Sequence, residues 1–145
     1  MAEEVFSLST AAWQTRQRSK GTGRWDLSES EYLTLDLLVR HETMTVGQLQ
    51  RQIGVLPAQM SRIVRALEGK FEHPLIQCTI NPQDKRKVDV TLAEAGRSAH
   101  RSFRDARLEQ TMTIFSQMPD EDIADFMRVV RKMRKILRAL NQPAE

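Results

Sequence analysis

Two short helical stripes with a sharp break between them dominate the middle of this 145-residue sequence. Thr45 and Gln48 have the spacing of a capping box, which predicts where the first helix begins. Gly54 suits a helix end because glycine adopts the left-handed conformation without steric strain. Pro57 suits the first turn of the next helix because its missing N–H would have no partner there. Residues 45–67 are therefore predicted to form two packed helices joined by a tight turn.

The hydrophobic period then changes from that of a helix to that of a strand. Apolar and polar residues alternate across residues 76–80 and again across residues 88–92. This alternation predicts a β-hairpin with one buried face, and its polar loop, residues 81–87, is too long for a two-residue turn. We expect the loop to project, with three consecutive cations, Lys85, Arg86 and Lys87, at its tip.

Helical stripes flank this central segment on both sides. Apolar residues recur at helical spacing across residues 5–18, and a capping box at Ser28 and Glu31 begins a further helix. The helical period returns after Leu92, and Met118-Pro119 divides that last segment into a long helix and a final one. The predicted fold class is mainly α with a small β-hairpin.

The composition excludes several classes of protein. Hydrophobic residues make up 40% of the chain and charged residues 28%, which is typical of a soluble globular protein. No apolar run approaches the roughly 18 residues of a membrane helix, and the acidic start of the sequence does not resemble a secretory signal. The single cysteine, Cys78, fits a reducing compartment. We expect a cytoplasmic protein of one domain that does not bind membranes.

The sequence offers no set of residues for catalysis. A nucleotide-binding loop, a zinc ligand set and a nucleophile elbow are all missing from it, so we expect neither an enzyme nor a bound cofactor or metal. His41, His73 and His100 together with Cys78 lack the spacing of metal ligands. Cys78 itself has two interpretations, a redox sensor or a buried residue of a strand, and the alternating pattern around it favours the second.

The positive charge of the chain is concentrated in its middle third. The net charge is +3, and residues 45–92 alone contain seven basic and four acidic side chains, which accounts for the whole excess. A basic segment between neutral flanks is the arrangement expected where one part of a protein contacts a polyanion.

The second helix of the central pair suits the major groove of DNA. Gln and Arg side chains form bidentate hydrogen bonds with base edges, and Ser contacts bases or phosphates. The basic hairpin tip beside it would act as a wing that reaches the adjacent minor groove or the backbone. The predicted DNA-binding residues are Thr45, Gln48, Pro57, Ala58, Gln59, Ser61, Arg62, Arg65, Lys85, Arg86 and Lys87.

Residues 28–140 resemble the MarR family of winged helix-turn-helix transcriptional regulators. The resemblance rests on the helix start Leu27-Ser28-x-x-Glu31, the helix-turn-helix at residues 49–68, and Asp84-x-Arg86 followed by Val90-Thr91-Leu92-x-x-x-Gly96. It implies a homodimer whose two winged lobes bind a pseudo-palindromic operator in double-stranded DNA. In that arrangement Arg86 would reach the minor groove, and Asp84 would orient the wing by pairing with a nearby basic residue.

The resemblance also divides the chain into parts with different roles. A single MarR-like domain would cover residues 1–145, with the winged helix-turn-helix lobe at residues 28–92 and dimerisation helices at residues 1–26 and 97–145. A small lobe cannot bury the apolar stripes of both terminal helices, so a second copy is expected to cover them. The predicted interface residues are Val5, Leu8, Phe115, Ile123, Phe126, Val130, Met133, Leu137 and Leu140.

The sequence departs from the family pattern at several positions. Leu56 replaces the usual Ser or Thr cap of the DNA-contacting helix, and Ala93 replaces the usual threonine cap of the long helix. Gln50 stands where the family prefers a small residue, and Cys78 stands where an arginine is common. Residues 69–74 form a longer link than usual. None of these changes removes the predicted DNA-binding surface.

The functional hypothesis is a dimeric DNA-binding transcriptional regulator that acts as a repressor. Family members often respond to small phenolic or lipophilic molecules, and such an effector would enter a crevice lined by Trp13, Trp25, Tyr32 and His100. The alternative is a winged-helix module that binds other proteins and uses its basic wing only for solubility.

Overall fold

The computed structural model describes residues 2–18 and 25–140. The chain divides into two compact units, residues 1–104 and residues 105–145. No helix within the described ranges is long and apolar enough to cross a membrane.

The predicted fold class is confirmed, because the described residues form helices around a small antiparallel sheet. In chain order the elements are α1 (Ala2–Arg18), α2 (Glu29–His41), β1 (Thr43–Thr45), α3 (Val46–Ile53), α4 (Pro57–Gly69), β2 (Ile76–Ile80), β3 (Val88–Leu92), α5 (Glu94–Phe115) and α6 (Asp120–Leu140). The first unit contains the elements from α1 to the first half of α5, and the second contains the remainder of α5 with α6.

The helix boundaries follow the local chemistry of the sequence. The Ser28 and Glu31 side chains each bond to the other's backbone N–H, at 3.2 and 2.7 Å, so the predicted capping box of α2 is present. Gly54 ends α3 in the left-handed conformation, with φ of 75°. Pro57 occupies the first turn of α4, where a proline removes no helical hydrogen bond.

The sheet has three strands rather than the two predicted. Its order is β1-β3-β2, and Val90 of β3 pairs with Met44 of β1 on one side and with Cys78 of β2 on the other. A strand of three residues is too short to show an alternating pattern, so β1 becomes evident only from its pairing with β3. This pairing joins the segment before α3 directly to the predicted wing.

The hairpin is buried on one face only near its base. The prediction of a face buried along the whole of both strands was therefore wrong. Ile76 and Val90 are buried, whereas Ile80 is 68% exposed. Val88, its cross-strand partner, is 37% exposed. The apolar core lies under the base of the sheet, so the far end of the hairpin extends beyond it.

The core of the first unit consists of side chains from every helix of the central segment. The fully buried members include Leu35, Leu38, Leu49, Met60, Leu67, Leu75, Ile76 and Val90. These residues come from α2, α3, α4, the sheet and the residue just before β2, and they hold the two central helices at a fixed position relative to the hairpin.

Leu75 links the end of α4 to the start of α5. Its N–H donates to the Leu67 carbonyl at 2.8 Å, and its own carbonyl accepts from the Ala93 N–H at 3.0 Å. The same carbonyl lies against the backbone of Gly96, where an added Cβ would overlap it. The glycine of the wing motif is therefore required for close approach of two backbone segments.

The second unit is a helical pair with a modest interior. Phe115 and Phe126 meet edge to face with ring centroids 5.6 Å apart. The three acidic residues at the start of α6 suit the positive end of the helix dipole. Every residue of α6 is described, and none of them is buried.

Candidate nucleic-acid interface

The outward face of α4 carries all the residues that the sequence analysis assigned to it. Met60, Ile63 and Leu67 turn inward and are buried. The exposed residues of the predicted set are Pro57, Ala58, Gln59, Ser61, Arg62 and Arg65. This helix therefore presents amide, hydroxyl and guanidinium groups from a firmly anchored backbone, which is the requirement for contacts with base edges.

Thr45 and Gln48 hold the start of α3. The Gln48 N–H donates to the Thr45 hydroxyl oxygen at 3.2 Å, and the Thr45 N–H donates to the Gln48 side-chain oxygen at 2.8 Å. These bonds confirm the predicted capping box. Gln48 is exposed and Thr45 is half-buried, and their contact with DNA stays a prediction.

The loop between β2 and β3 is organised around the Asp84 carboxylate. One oxygen accepts from the Arg86 backbone N–H at 3.2 Å and lies 3.3 Å from the Arg86 Nε. The other oxygen lies 3.3 Å from the Lys87 Nζ. The backbone bond from Arg86 is the main cause that lowers the pKa of Asp84, and Lys87 and the Arg86 side chain add to it. The carboxylate is thus charged at neutral pH and fixes the loop that carries both cations.

Asn81 is a second organising residue of this loop, and the sequence analysis did not identify it. Its side-chain amide donates to both carboxylate oxygens of Asp89, at 3.0 and 2.9 Å. Its side-chain oxygen accepts from the backbone N–H groups of Gln83 and Asp84, each at 2.9 Å. The Asn-Pro dipeptide was the available signal, because asparagine often bonds to backbone N–H groups two and three residues ahead in a turn.

The tip cations remain accessible despite this internal order. The Arg86 side chain is 93% exposed, and Lys87 is 59% exposed although it pairs with Asp84. Lys85 is also exposed. The loop backbone is therefore held in place while its charged groups remain available to a polyanion.

Comparison with known proteins agrees with this geometry. The MarR family model matches residues 27–88, which include α2, the helix-turn-helix and the whole loop between β2 and β3. Residues 27–88 therefore match the pattern of the MarR family. The resemblance inferred from the sequence motifs is thereby confirmed.

Individual proteins and solved structures extend the similarity to most of the chain's length. The uncharacterized HTH-type transcriptional regulator YwhA of Bacillus subtilis (strain 168) is 22% identical over 119 residues, which are 82% of this chain and 84% of YwhA. A mutant of S. aureus MepR has a TM-score of 0.74 at 20% identity, covering 92% of this chain and 97% of its own. A second MepR mutant, bound to oligodeoxyribonucleotide, has a TM-score of 0.65 at 21% identity, covering 94% and 98%.

Two of the residues expected to line an effector crevice are in direct contact. Tyr32 and His100 stack with ring centroids 5.1 Å apart and nearly parallel planes, and the His100 Nε2 lies 3.0 Å from an Asp36 carboxylate oxygen. Trp25 meets Phe71 edge to face, with ring centroids 5.6 Å apart, and its place in a crevice stays a prediction. The side chain of Trp13 lies outside the described part of the chain.

The apolar residues assigned to dimerisation are incompletely covered within each unit. In the first unit, Val5 and Leu8 of α1 are 56% and 66% exposed. In the second unit, Phe126, Met133, Leu137 and Leu140 of α6 are exposed, whereas Phe115, Ile123 and Val130 are half-buried. Exposed apolar stripes of this kind typically mark protein interfaces.

Cys78 is a poor candidate for a thiolate sensor. Burial is the main cause that raises the pKa of its thiol to about 12, and the neighbouring Glu68 carboxylate adds to this effect. The thiol is therefore protonated at neutral pH, where only a thiolate reacts rapidly with oxidants. Within residues 2–18 and 25–140, no three His, Cys, Asp or Glu side chains form a group that would hold a metal ion.

Proposed function

We propose that this protein is a DNA-binding transcriptional regulator that acts as a homodimer on a pseudo-palindromic operator. One observation supports the proposal above all others. The exposed polar face of α4 and the ordered cationic loop of residues 81–87 belong to one lobe, joined by a shared core and sheet. An enzyme would instead need a positioned nucleophile, acid–base pair or metal.

In this proposal α4 enters the major groove. Gln59 and Arg62 contact base edges through paired hydrogen bonds, and Arg65 lies one turn further along the same helix. Ser61 already donates its hydroxyl to the Pro57 carbonyl at 3.1 Å, so it offers DNA chiefly its oxygen lone pairs. Sequence preference would arise mainly from this helix.

The wing supplies contacts that do not depend on base sequence. Arg86 inserts into the adjacent minor groove, and Lys85 and Lys87 contact phosphates. Asp84 acts on DNA only through the positions of Arg86 and Lys87. Because each phosphate contact releases counterions, affinity is expected to fall steeply as the salt concentration rises.

Dimerisation follows from the exposed apolar residues of α1 and α6. A second copy would cover Val5, Leu8 and the apolar face of α6, and it would double the number of winged lobes. Two lobes related by a two-fold axis match two half-sites of opposite orientation. The S. aureus MepR mutant bound to oligodeoxyribonucleotide supports the assignment of DNA as the partner.

Repression with release by a small molecule is the regulatory mode that we propose. A dimer seated on an operator blocks other proteins from the same DNA. An aromatic effector would stack in the neighbourhood of Tyr32 and His100, two rings that already lie parallel at 5.1 Å. Binding there would shift the dimer away from its DNA-bound arrangement.

Selection of bound duplexes from a random pool tests this function. We expect an enriched inverted repeat, whose half-site spacing reports the separation of the two copies of α4. Sedimentation velocity of the same protein should show a dimer. Recovery of no enriched sequence, together with weak binding that random competitor DNA removes completely, would contradict the function and favour a protein-binding module.

A further inference from the structure

Leu56 is an exposed apolar residue at a position that normally bears a polar one. It precedes α4 with φ of −71° and ψ of 154°, the extended conformation of a helix N-cap, and its side chain is 72% exposed. Ser, Thr, Asp or Asn at an N-cap accepts a hydrogen bond from the first turn, and a leucine side chain has no acceptor. The Leu56 carbonyl accepts the Met60 N–H at 2.9 Å, but its side chain neither caps the helix nor packs into the core.

The apolar surface continues beyond Leu56 into the helix. Pro57 and Ala58 are also exposed, so residues 56–58 form a contiguous apolar patch that we call the apolar turn. Ala58 lies on the same outward face of α4 as Arg62, one helical turn away. Gln59 follows directly and flanks that face. The apolar turn is thus continuous with the surface that we assign to base contacts.

We propose that the apolar turn contacts thymine methyl groups in the major groove. The inference rests on the proposed function and adds a specificity element to it. The thymine C5 methyl is the apolar group that a base pair presents in the major groove, and small apolar side chains recognise it by contact. The N-terminal residues of a helix in this groove are the ones that reach base edges.

The position of the apolar turn predicts the composition of the half-site. Gln59 suits adenine, whose N6 and N7 form a donor–acceptor pair that matches a carboxamide. Leu56 and Ala58 lie on either side of Pro57, immediately before Gln59. We therefore expect thymines next to the adenine that Gln59 contacts, on either strand, within each half-site.

Replacement of thymine by uracil tests the proposal because it removes only the C5 methyl and preserves base pairing. The duplex selected by the wild-type protein is synthesised with uracil at one thymine position at a time, and Kd is measured by fluorescence anisotropy. We expect affinity to fall about fourfold at each contacted thymine, the effect of exposing one buried methyl-sized group. Thymines outside the contacted positions should show no change.

Leu56→Ser assigns the effect to the side chain. Serine is a preferred N-cap residue, so this variant is expected to fold at least as well as the wild type. It should bind the thymine duplex more weakly and lose its sensitivity to uracil at the thymine that Leu56 contacts, whereas a thymine contacted by Ala58 should keep its sensitivity. Leu33→Ser, a change at a 43% exposed leucine of α2, serves as the matched control and should retain the full sensitivity.

The outcomes separate this inference from the function on which it rests. If an operator is enriched but uracil at every thymine leaves its affinity unchanged, the proposed contact between the apolar turn and thymine methyl groups is contradicted. The DNA-binding function would remain intact. Equal uracil sensitivity in wild type and Leu56→Ser would also contradict the proposed contact. Absence of any enriched sequence would instead contradict the proposed function.

Discussion

The Leu75 carbonyl oxygen occupies the space that a Cβ atom on Gly96 would need. That carbonyl cannot move aside easily, because it also accepts the Ala93 N–H at 3.0 Å. The contact brings the start of β2 against the first turn of α5. It explains in physical terms why a glycine ends the wing motif.

Gly96→Ala is therefore expected to destabilise the fold. The added methyl must displace backbone rather than a flexible side chain, and overpacking of this kind typically costs about 1–3 kcal/mol. Gly69→Ala is the matched control, because a Cβ at Gly69 would point into open space. Urea denaturation of both variants measures the effect. Equal free energies of unfolding for the two would contradict the role of Gly96.

The Asn81–Asp89 pair is expected to hold the wing loop in position because a neutral amide faces a carboxylate. Asn81→Asp replaces an amide that donates to the Asp89 carboxylate with a second carboxylate, and the two negative groups would repel each other. We expect DNA affinity to fall about fivefold, equivalent to ~1 kcal/mol for a like-charge pair across two strands.

The reversed pair supplies the control for this prediction. Asn81→Asp combined with Asp89→Asn restores one amide facing one carboxylate, so affinity should recover substantially while the single Asp89→Asn variant is impaired. The NMR signal of the Arg86 backbone amide should rank the variants in the same way, because this N–H donates to Asp84 when the loop is ordered. If the double variant binds DNA as weakly as Asn81→Asp, the pair does not position the wing.

Arg62 and Arg86 are expected to differ in what their loss does to DNA binding. Arg86→Ala should weaken binding to every duplex and reduce the salt slope by about 1. Arg62→Ala should reduce the preference for the operator over random DNA by about 1–3 kcal/mol, the value of one bidentate base contact. Titrations of operator and random duplexes at several salt concentrations distinguish the two. Equal losses on both duplexes for Arg62→Ala would contradict its assigned role.

Cys78 is expected to resist alkylation in the folded protein. The pKa of its thiol is raised from 9.0 to about 12, so iodoacetamide at pH 8 should modify it far more slowly than it modifies the unfolded chain. Glu68→Gln removes a negative neighbour that raises this pKa, and the reaction should become faster. Mass spectrometry over time measures both rates.

The same shift predicts the direction of a pH effect on stability. Because the thiol pKa is higher in the folded state, its contribution to stability is complete below pH 9 and is lost as the pH rises towards 12. Cys78→Ala should lack this component of the alkaline loss. A native thiol that reacts as rapidly as the unfolded one would contradict both expectations.

The helix-turn-helix was predictable from the sequence because its boundaries depend on local chemistry. Capping boxes, the left-handed Gly54 and the helix-starting Pro57 each act within a few residues. β1 was not predictable, because a three-residue strand is defined by hydrogen bonds to β3, which lies more than forty residues further along the chain. The exposure of Ile80 was missed for a related reason, since alternation does not reveal where the core ends.

The residue types of the candidate site could be predicted from the sequence. The residues that hold its loop in position were harder to predict. Exposed Gln and Arg side chains on α4 follow from helical periodicity alone. The role of Asn81 depends on the conformation of a loop in which Asp89 returns beside it, and no spacing rule encodes that approach.

The central position of β3 has a mechanical consequence for the lobe. Its hydrogen bonds to β1 tie it to the residues that begin α3, and its bonds to β2 tie it to the far arm of the hairpin. A displacement of the hairpin end would therefore reach the helix pair through these hydrogen bonds. In the proposed complex, deformation of the duplex at one groove would be felt at the next, so bendability of the DNA between the two contacts would contribute to the proposed specificity.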